Sequence, residues 1–162
     1  MSVTVYHGGT ETIAKPKVDA GRDNLDFGKG FYVTDIRSQA ADWAGRMADR
    51  RHTAPLLNVY ELDREAILSH YRCKVFDAYD AEWLDFIVAS RLGERPWQPF
   101  DYIEGGVADD RVVDTINLYM ADLMTKDKAL EKLSEHRPNN QMCILSQDIL
   151  EHHLHYNGTE QP

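Results

Sequence analysis

The spacing of apolar positions predicts short strands at both ends of the chain and helices between them. Val3 to Tyr6 is a β-branched and aromatic run, and Leu56 to Leu62 is a longer run of the same kind. Such runs are typical of strands. Ser38 to Arg50 instead repeats its apolar residues at helical intervals, which predicts a helix with Trp43 as its large core anchor.

The rest of the chain continues this mixture without a regular alternation of strand and helix. Gly28–Thr34 is predicted as a loop that runs into a strand. Further strands are predicted at Lys74–Phe76, Tyr102–Val107 and Met142–Leu145, and helices at Asp80–Leu92, Asp109–Met124, Lys126–Glu135 and Ser146–Glu151. An exposed loop is expected at 16–24. The irregular order favours an α+β fold over a doubly wound sheet. We expect a single domain over residues 1–156, followed by a frayed polar tail at 157–162.

Composition and charge narrow the class of protein. The chain has 162 residues, 43% hydrophobic and 28% charged, as in ordinary globular domains. Its net charge of −9 repels nucleic acid at long range. Arg46, Arg50, Arg51 and His52 form a local basic cluster, which we interpret as the solvated end of a helix. A groove for a few nucleotides is the alternative.

The predicted cellular setting is a reducing one. The chain has two cysteines, too few for a disulfide framework, and Cys143 lies in a core strand pattern as a buried thiol. The sequence shows neither a signal peptide nor a stretch long enough to span a bilayer. A cytoplasmic location without a membrane partner is therefore expected, with secretion by a signal-free route left open.

Two glycine-rich segments contain the groups that recognition of NAD requires. One glycine backbone can pair with the nicotinamide amide without a side chain in the way, and an aromatic ring can stack on nicotinamide. A histidine can form a hydrogen bond with a ribose hydroxyl. The segments Tyr6-His7-Gly8-Gly9-Thr10 and Asp26-Phe27-Gly28-Lys29-Gly30-Phe31-Tyr32 supply these groups. We predict a nucleotide site formed by His7, Gly8, Gly9, Thr10, Gly30, Phe31 and Tyr32, with Arg22 as a candidate for the pyrophosphate.

The residues of these two segments resemble those of a known superfamily. Phe27 to Asp35, followed by Ser38 to Ala44, closely resembles a segment of the poly(ADP-ribose) polymerases, and Tyr6-His7-Gly8 is similar to the HG motif of the same superfamily. With Val107 to Arg111 and Asn140-Gln141, the pattern resembles a bacterial and phage family of unknown function placed among the ADP-ribosyltransferases. The resemblance covers residues 4 to about 156.

The resemblance implies a split β-sheet sandwich with flanking helices that clamps NAD between two sheets. It places His7 on the adenosine ribose, Gly8 on the nicotinamide amide and Tyr32 against the nicotinamide ring. The superfamily's third catalytic position is usually Glu, and the matching residue here is Gln141. A glutamine can orient a ribose hydroxyl but can neither supply charge nor accept a proton as a base.

Other side chains of the two segments and their surroundings have competing interpretations. Asp109 and Asp110 either cap a helix or supply the missing carboxylate, with Asp110 the preferred candidate. Glu104 is a weaker candidate that we expect at the surface. Asp26 is expected to brace its loop, and Lys29 to point into solvent. Phe27 and Phe31 are expected to pack in the core, and the histidines His152, His153 and His155 to form a surface cluster rather than a metal site.

The function implied by the resemblance is an NAD-dependent mono-ADP-ribosyltransferase that modifies a macromolecule, with NAD as substrate and no metal. A role as the toxin of a toxin–antitoxin or phage-related system, with an antitoxin as partner, follows from the same analogy. NAD hydrolysis is one alternative, and an inactive module that binds NAD, ADP-ribose or protein is another. The acidic charge makes a protein acceptor somewhat more natural than nucleic acid.

Overall fold

The computed structural model describes residues 2–23 and 25–162, and this part of the chain forms two β-sheets with flanking helices. Its strands are β1 (Val3–Gly9), β2 (Phe31–Val33), β3 (Leu56–Leu62), β4 (Cys73–Val75), β5 (Tyr102–Gly105), β6 (Gln141–Ile144) and β7 (Leu154–Glu160). Its helices are α1 (Arg37–Arg51), α2 (Arg64–His70), α3 (Ala81–Arg91), α4 (Val113–Met120), α5 (Lys126–Leu133) and α6 (Gln147–His152). The predicted α+β fold is confirmed. The loop expected at 16–24 contains a short 3-10 turn at Val18–Ala20, and Asn24, like Met1, lies outside the described residues.

The two sheets meet at their edges. The first has the strand order β1-β3-β7 and is antiparallel, and the second has the order β2-β6-β5-β4 with one parallel pair, β4 and β5. A single bridge between Tyr6 and Thr34 joins the edge strands β1 and β2. Beyond this bridge the two edges separate, and this separation positions the candidate site.

Alternation along the central strands of the second sheet creates a core on both of its faces. Met142 and Ile144 of β6 and Tyr102 of β5 pack in the core that the two sheets share. Cys143 and Ile103, one position along, face a second core formed with α3, α4 and α5. Because successive side chains of a strand point to opposite faces, consecutive apolar residues such as Met142, Cys143 and Ile144 are the expected pattern for this doubly covered sheet.

Three elements differ from the sequence prediction. Helix α4 spans only Val113–Met120 of the predicted 109–124, so Asp109 and Asp110 precede it and do not cap it. Helix α2 was not predicted, because its short segment buries only Ile67 and shows little periodicity. The predicted frayed tail is wrong up to Glu160, since β7 pairs with β3 as far as Glu160 and Leu57. Polar side chains suit this position because β7 is an edge strand. Arg37 Nε also donates to Glu160 Oε1 at 2.7 Å, which holds the end of the strand.

Glu104 corrects another expectation, because it is buried, with 7% of its surface exposed. Arg64 donates to both of its carboxylate oxygens at 2.8 and 2.7 Å, and Tyr102 donates to Oε1 at 2.5 Å. Arg64 is the first residue of α2, which directly follows strand β3 of the first sheet, and Glu104 lies on strand β5 of the second sheet. The ion pair therefore ties the two sheets together, and the carboxylate is structural.

We expect Glu104→Gln to lower the free energy of unfolding by about 2 kcal/mol, the usual contribution of a hydrogen bond to a charged group. The carboxamide retains one acceptor oxygen but turns an N–H₂ group toward the donors of Arg64. Glu131→Gln is the matched control, since the ion pair of Glu131 with Lys128 is exposed and such pairs contribute little. Urea denaturation of both variants measures the difference, and equal midpoints would contradict the structural role.

Candidate functional site

The separating edges of β1 and β2 enclose a cavity of about 1030 Å³. Tyr6 and Thr34, which both line the cavity, exchange backbone hydrogen bonds of 2.8 and 2.9 Å. The volume lies at the upper end of the range for small-molecule and cofactor sites. The structure brings all the sequence-predicted site residues to its lining: His7, Gly8, Gly9, Thr10, Arg22, Gly30, Phe31, Tyr32, Asp110 and Gln141.

His7 spans the two separating strands in a defined tautomer. Its Nδ1 lies 2.7 Å from the carbonyl oxygen of Tyr32. Because a carbonyl can only accept, Nδ1 carries the hydrogen and Nε2 keeps a lone pair that can accept a hydrogen bond. Burial lowers the pKa of His7 despite this bond, so the ring is neutral at pH 7. The imidazole also stacks on Phe31 with the ring centroids 4.5 Å apart.

The backbone N–H and C=O of Gly8 face the cavity, whereas a side chain at this position would point away from it. The backbone groups of Tyr6 face β2, and in an antiparallel ladder those of Gly8, two residues later, face the same edge. A Cβ at Gly8 would instead point at helix α1, 2.1 Å from the carbonyl oxygen of Ala40. The glycine is therefore required for close helix packing. The sequence interpretation, that a Cβ would block the ligand, gave the wrong reason.

Tyr32 lines the cavity, but its hydroxyl is used within the protein. It donates to the carbonyl of Gly28 at 2.7 Å and accepts from the backbone N–H of Phe27 at 3.0 Å. Burial raises the pKa of Tyr32 well above its usual value, so the phenol stays protonated. Tyr32 therefore closes the 27–32 loop with its hydroxyl and can offer only its ring to a ligand.

The remaining predicted residues of the two segments differ in how far a ligand can reach them. Phe31 is buried beneath His7, as expected of a core residue. Gly30 packs against β6, where a Cβ would lie 2.6 Å from the carbonyl of Ile144. Thr10 accepts a hydrogen bond from Arg51 at 2.9 Å. Arg22 is exposed, and no ion pair involves it in the part of the chain that the structure describes.

Gln141 is the first residue of β6 and faces the cavity. Its Oε1 is buried and has no hydrogen-bond partner among the described residues. A buried acceptor without a partner is costly, and in native proteins such a group commonly serves a ligand or a water. The position predicted to lack the usual carboxylate therefore holds an acceptor that is ready for a donor such as a hydroxyl.

The adjacent carboxylates Asp109 and Asp110 occupy different environments. Asp110 is 79% exposed and pairs with Arg46 at 2.9 Å across the mouth of the cavity. Asp109 accepts hydrogen bonds from Asn139 at 2.9 Å and from Arg111. Burial raises the pKa of Asp109, but the bonds and charge of Arg111 outweigh it and hold the pKa below its usual value. Both carboxylates are thus paired with an arginine, and Asp109 in addition stays ionised because its pKa is lowered.

Trp43 lines the cavity, which corrects its prediction as a core anchor. It is 40% exposed, and the Arg50 guanidinium lies 5.7 Å from its ring centroid. Helix α1 instead packs through Ala40, Ala44 and Ala48, which are buried at intervals of four. The alanine stripe was the signal in the sequence that would have assigned Trp43 to another face.

The basic residues of α1 also contribute to the cavity, against the interpretation that they only end the helix. Arg46 and Arg51 lie in its lining. Among the described residues the lining has seven basic and five acidic side chains, in a protein with a net charge of −9. The cavity is therefore a local basic region that attracts an anionic ligand by electrostatic focusing.

The other residues considered in the sequence analysis are buried or have partners within the protein. Phe27 and Cys143 are fully buried, as expected. Lys29 is partly exposed and lies 3.8 Å from Asp23. Of the three C-terminal histidines, His153 and His155 face Asp63. Across residues 2–23 and 25–162, no group of three or more His, Cys, Asp or Glu side chains is arranged to hold a metal ion, and no helix is long and apolar enough to cross a membrane.

Comparison with known proteins identifies one family. A family model described as a protein of unknown function (DUF3990) matches residues 3–156, nearly the whole chain. This agrees with the expected resemblance to a family of unknown function. No curated protein and no solved structure matches the chain at a significant level.

Proposed function

The chain belongs to the DUF3990 family, and we propose that it is an NAD-dependent mono-ADP-ribosyltransferase that modifies a macromolecular acceptor. The observation that carries the proposal is the cleft between β1 and β2. There, a neutral histidine whose Nε2 keeps an acceptor lone pair, the backbone edge of Gly8 and a glutamine oxygen without a partner among the described residues line one cavity. Each of these groups meets a separate requirement of NAD.

The proposed binding mode assigns one part of NAD to each group. The N–H and C=O of Gly8 pair with the nicotinamide amide, as one residue's donor and acceptor can. The rings of Tyr32 and Trp43 offer aromatic faces to nicotinamide. His7 Nε2 accepts from a hydroxyl of the adenosine ribose. The basic lining favours the diphosphate, with Arg22 and Arg51 as the candidate cations, since both line the cavity and Arg51 contacts Thr10 of the first glycine segment.

The proposed reaction exchanges one bond at the ribose carbon C1′. The bond from C1′ to the nicotinamide nitrogen breaks, and its electron pair neutralises the pyridinium as nicotinamide leaves. An acceptor atom then forms a bond to C1′ and releases its proton to solvent. Gln141 Oε1 accepts from a hydroxyl of the nicotinamide ribose and orients that sugar. A fixed dipole aimed at the developing positive charge lowers the barrier without reorganisation.

The proposal is tested by incubating the purified chain with NAD labelled in its adenosine half, with and without cell lysate. A labelled macromolecule together with released nicotinamide is the expected result. Nicotinamide release without labelled macromolecule would instead identify an NAD glycohydrolase. Absence of both products, across protein and nucleic-acid fractions, would contradict enzymatic function.

Gln141→Glu should raise the rate of nicotinamide release by roughly tenfold, since a carboxylate adds charge stabilisation of about 1.4 kcal/mol in the transition state. Gln141→Ala should lower it by a similar factor, because the ribose hydroxyl loses its acceptor. Steady-state kinetics with saturating NAD measures both rates. Equal kcat values for the three proteins would show that Gln141 does not face the reacting sugar.

An NAD-binding module without catalysis is the second candidate. It is favoured by the pairing of both nearby carboxylates, Asp109 with Arg111 and Asp110 with Arg46, together with an uncharged Gln141. Titration calorimetry showing NAD binding without any turnover would support it. The toxin role and the antitoxin partner are parts of the proposal that rest on analogy. The cytoplasmic location is proposed from the low cysteine content.

A further inference from the structure

The loop after β5 is held to the rest of the protein by side chains from several elements. Trp83 Nε1 donates to the carbonyl of Gly106 at 2.6 Å, and Asn139 Oδ1 accepts from the N–H of Val107 at 2.8 Å. Tyr79 donates to the carbonyl of Val107 at 3.2 Å. This loop leads directly into Asp109 and Asp110, so its position determines where these carboxylates lie.

Asp26 holds the same loop from a different part of the chain. Its Oδ2 accepts from the backbone N–H of Ala108 at 2.7 Å, and its Oδ1 accepts from Arg91 Nε at 2.9 Å. The Asp26 side chain is only 11% exposed. Both oxygens are thus engaged, one with the loop after β5 and one with the last turn of α3.

Asp26 also lies next to the segment that Tyr32 closes. The following residue, Phe27, is fully buried and donates its N–H to the Tyr32 hydroxyl. Asp26 therefore connects two walls of the cavity, the aromatic wall at Tyr32 and the acidic wall at Asp109 and Asp110. Alone among these loop contacts, it joins the glycine-rich segment to the loop after β5 in the described part of the chain.

We propose that Asp26 is a positioning residue of the cleft, which fixes the loop at 107–110 relative to Tyr32. The inference rests on the proposed NAD chemistry for its catalytic readout. His7 and Gly8, which bind the nucleotide in the proposed mode, lie on β1. Asp26 instead precedes the loop that Tyr32 closes, so its loss displaces the ring proposed to face nicotinamide and leaves most of the nucleotide contacts intact. A misplacement of about 1 Å can cost up to roughly 100-fold in rate.

The test compares Asp26→Ala with the double variant Asp26→Asn, Arg91→Gln. In Asp26→Ala we expect kcat for nicotinamide release to fall by roughly 30-fold, with KM for NAD within threefold. The double variant replaces the ion pair with two amides. The asparagine oxygen can accept from the N–H of Ala108, and the asparagine N–H₂ can donate to the glutamine oxygen at position 91. We expect the double variant to recover kcat to within about threefold of the wild type.

Two controls separate positioning from general stability. Asp23→Ala removes an exposed aspartate three residues before Asp26. Ile67→Val makes a mild defect in the other core, which the two sheets share, at helix α2. Both should retain the wild-type kcat at a temperature well below unfolding. An Asp26→Ala protein with kcat within twofold of the wild type would overturn the proposal.

Hydrogen exchange gives a second readout that does not depend on NAD. The amide of Ala108 should exchange faster in Asp26→Ala and return to wild-type protection in the double variant. If the wild type proves inactive toward NAD, the proposed function fails, and the exchange data alone decide whether Asp26 fixes the loop. Unchanged exchange at Ala108 in Asp26→Ala would refute the positioning role.

Discussion

Replacement of Tyr32 by alanine should reduce nicotinamide release by at least about 100-fold, equivalent to about 2.7 kcal/mol of transition-state stabilisation. Two losses combine in this variant. The nicotinamide ring loses an aromatic wall, and the 27–32 loop loses the hydroxyl that bonds to Phe27 and Gly28. Single-turnover measurement of nicotinamide release gives the rate without interference from product release.

Tyr32→Phe separates these two losses, because it keeps the ring and removes the hydroxyl. We expect an intermediate rate, roughly tenfold below the wild type, since the backbone groups of Phe27 and Gly28 lose one partner. Trp43→Ala removes the second of the two rings that we propose face nicotinamide, and we expect it to weaken NAD binding without loosening the loop. Full activity in a folded Tyr32→Ala protein would refute the assignment of the site.

The strands were predictable from the sequence where a run of apolar residues is also buried in the structure. The strands at Val3, Leu56 and Met142 combine β-branched or apolar residues with turn residues on their flanks, and each is a strand in the structure. The polar strand β7 was not predictable in this way, because its pairing with β3 comes from the sheet edge rather than from its own side chains.

The candidate site was predictable as a set of segments but not in its detailed roles. His7 and Tyr32 were identified because glycine, imidazole and aromatic ring occur together in two short segments. Trp43 was misassigned because a large apolar residue in a helix usually packs inward, whereas here the alanines take the packed face. The burial of Glu104 depends on Arg64, forty residues away, a contact that no local pattern reveals.

Gly8→Ala and Gly9→Ala should have opposite consequences, although the two glycines are neighbours on β1. A Cβ at Gly8 meets the backbone of α1, 2.1 Å from Ala40 O and 3.1 Å from Ala44 N. A helix backbone cannot yield without disturbing its own hydrogen bonds. We expect a loss of about 3 kcal/mol or more in the free energy of unfolding. For a chain of this size, that corresponds to a fall in Tm of roughly 6 to 12 °C.

Gly9→Ala should instead leave the fold intact and impair the ligand site. A Cβ at Gly9 has no atom within 4 Å, although the residue is buried. Because side chains alternate along a strand, this Cβ lies on the same face as His7 and enters the cavity. We expect stability within about 0.5 kcal/mol of the wild type and NAD affinity at least about tenfold weaker, or about 1.4 kcal/mol.

Thermal denaturation and NAD titration of both variants together decide the assignment. The expected pattern is a low Tm for Gly8→Ala and a normal Tm with weak NAD binding for Gly9→Ala. A Gly9→Ala protein that binds NAD as tightly as the wild type would place the nucleotide elsewhere. A Gly8→Ala protein with normal Tm would instead show that α1 can move away from β1, and Gly8 would then be required for the ligand rather than for packing.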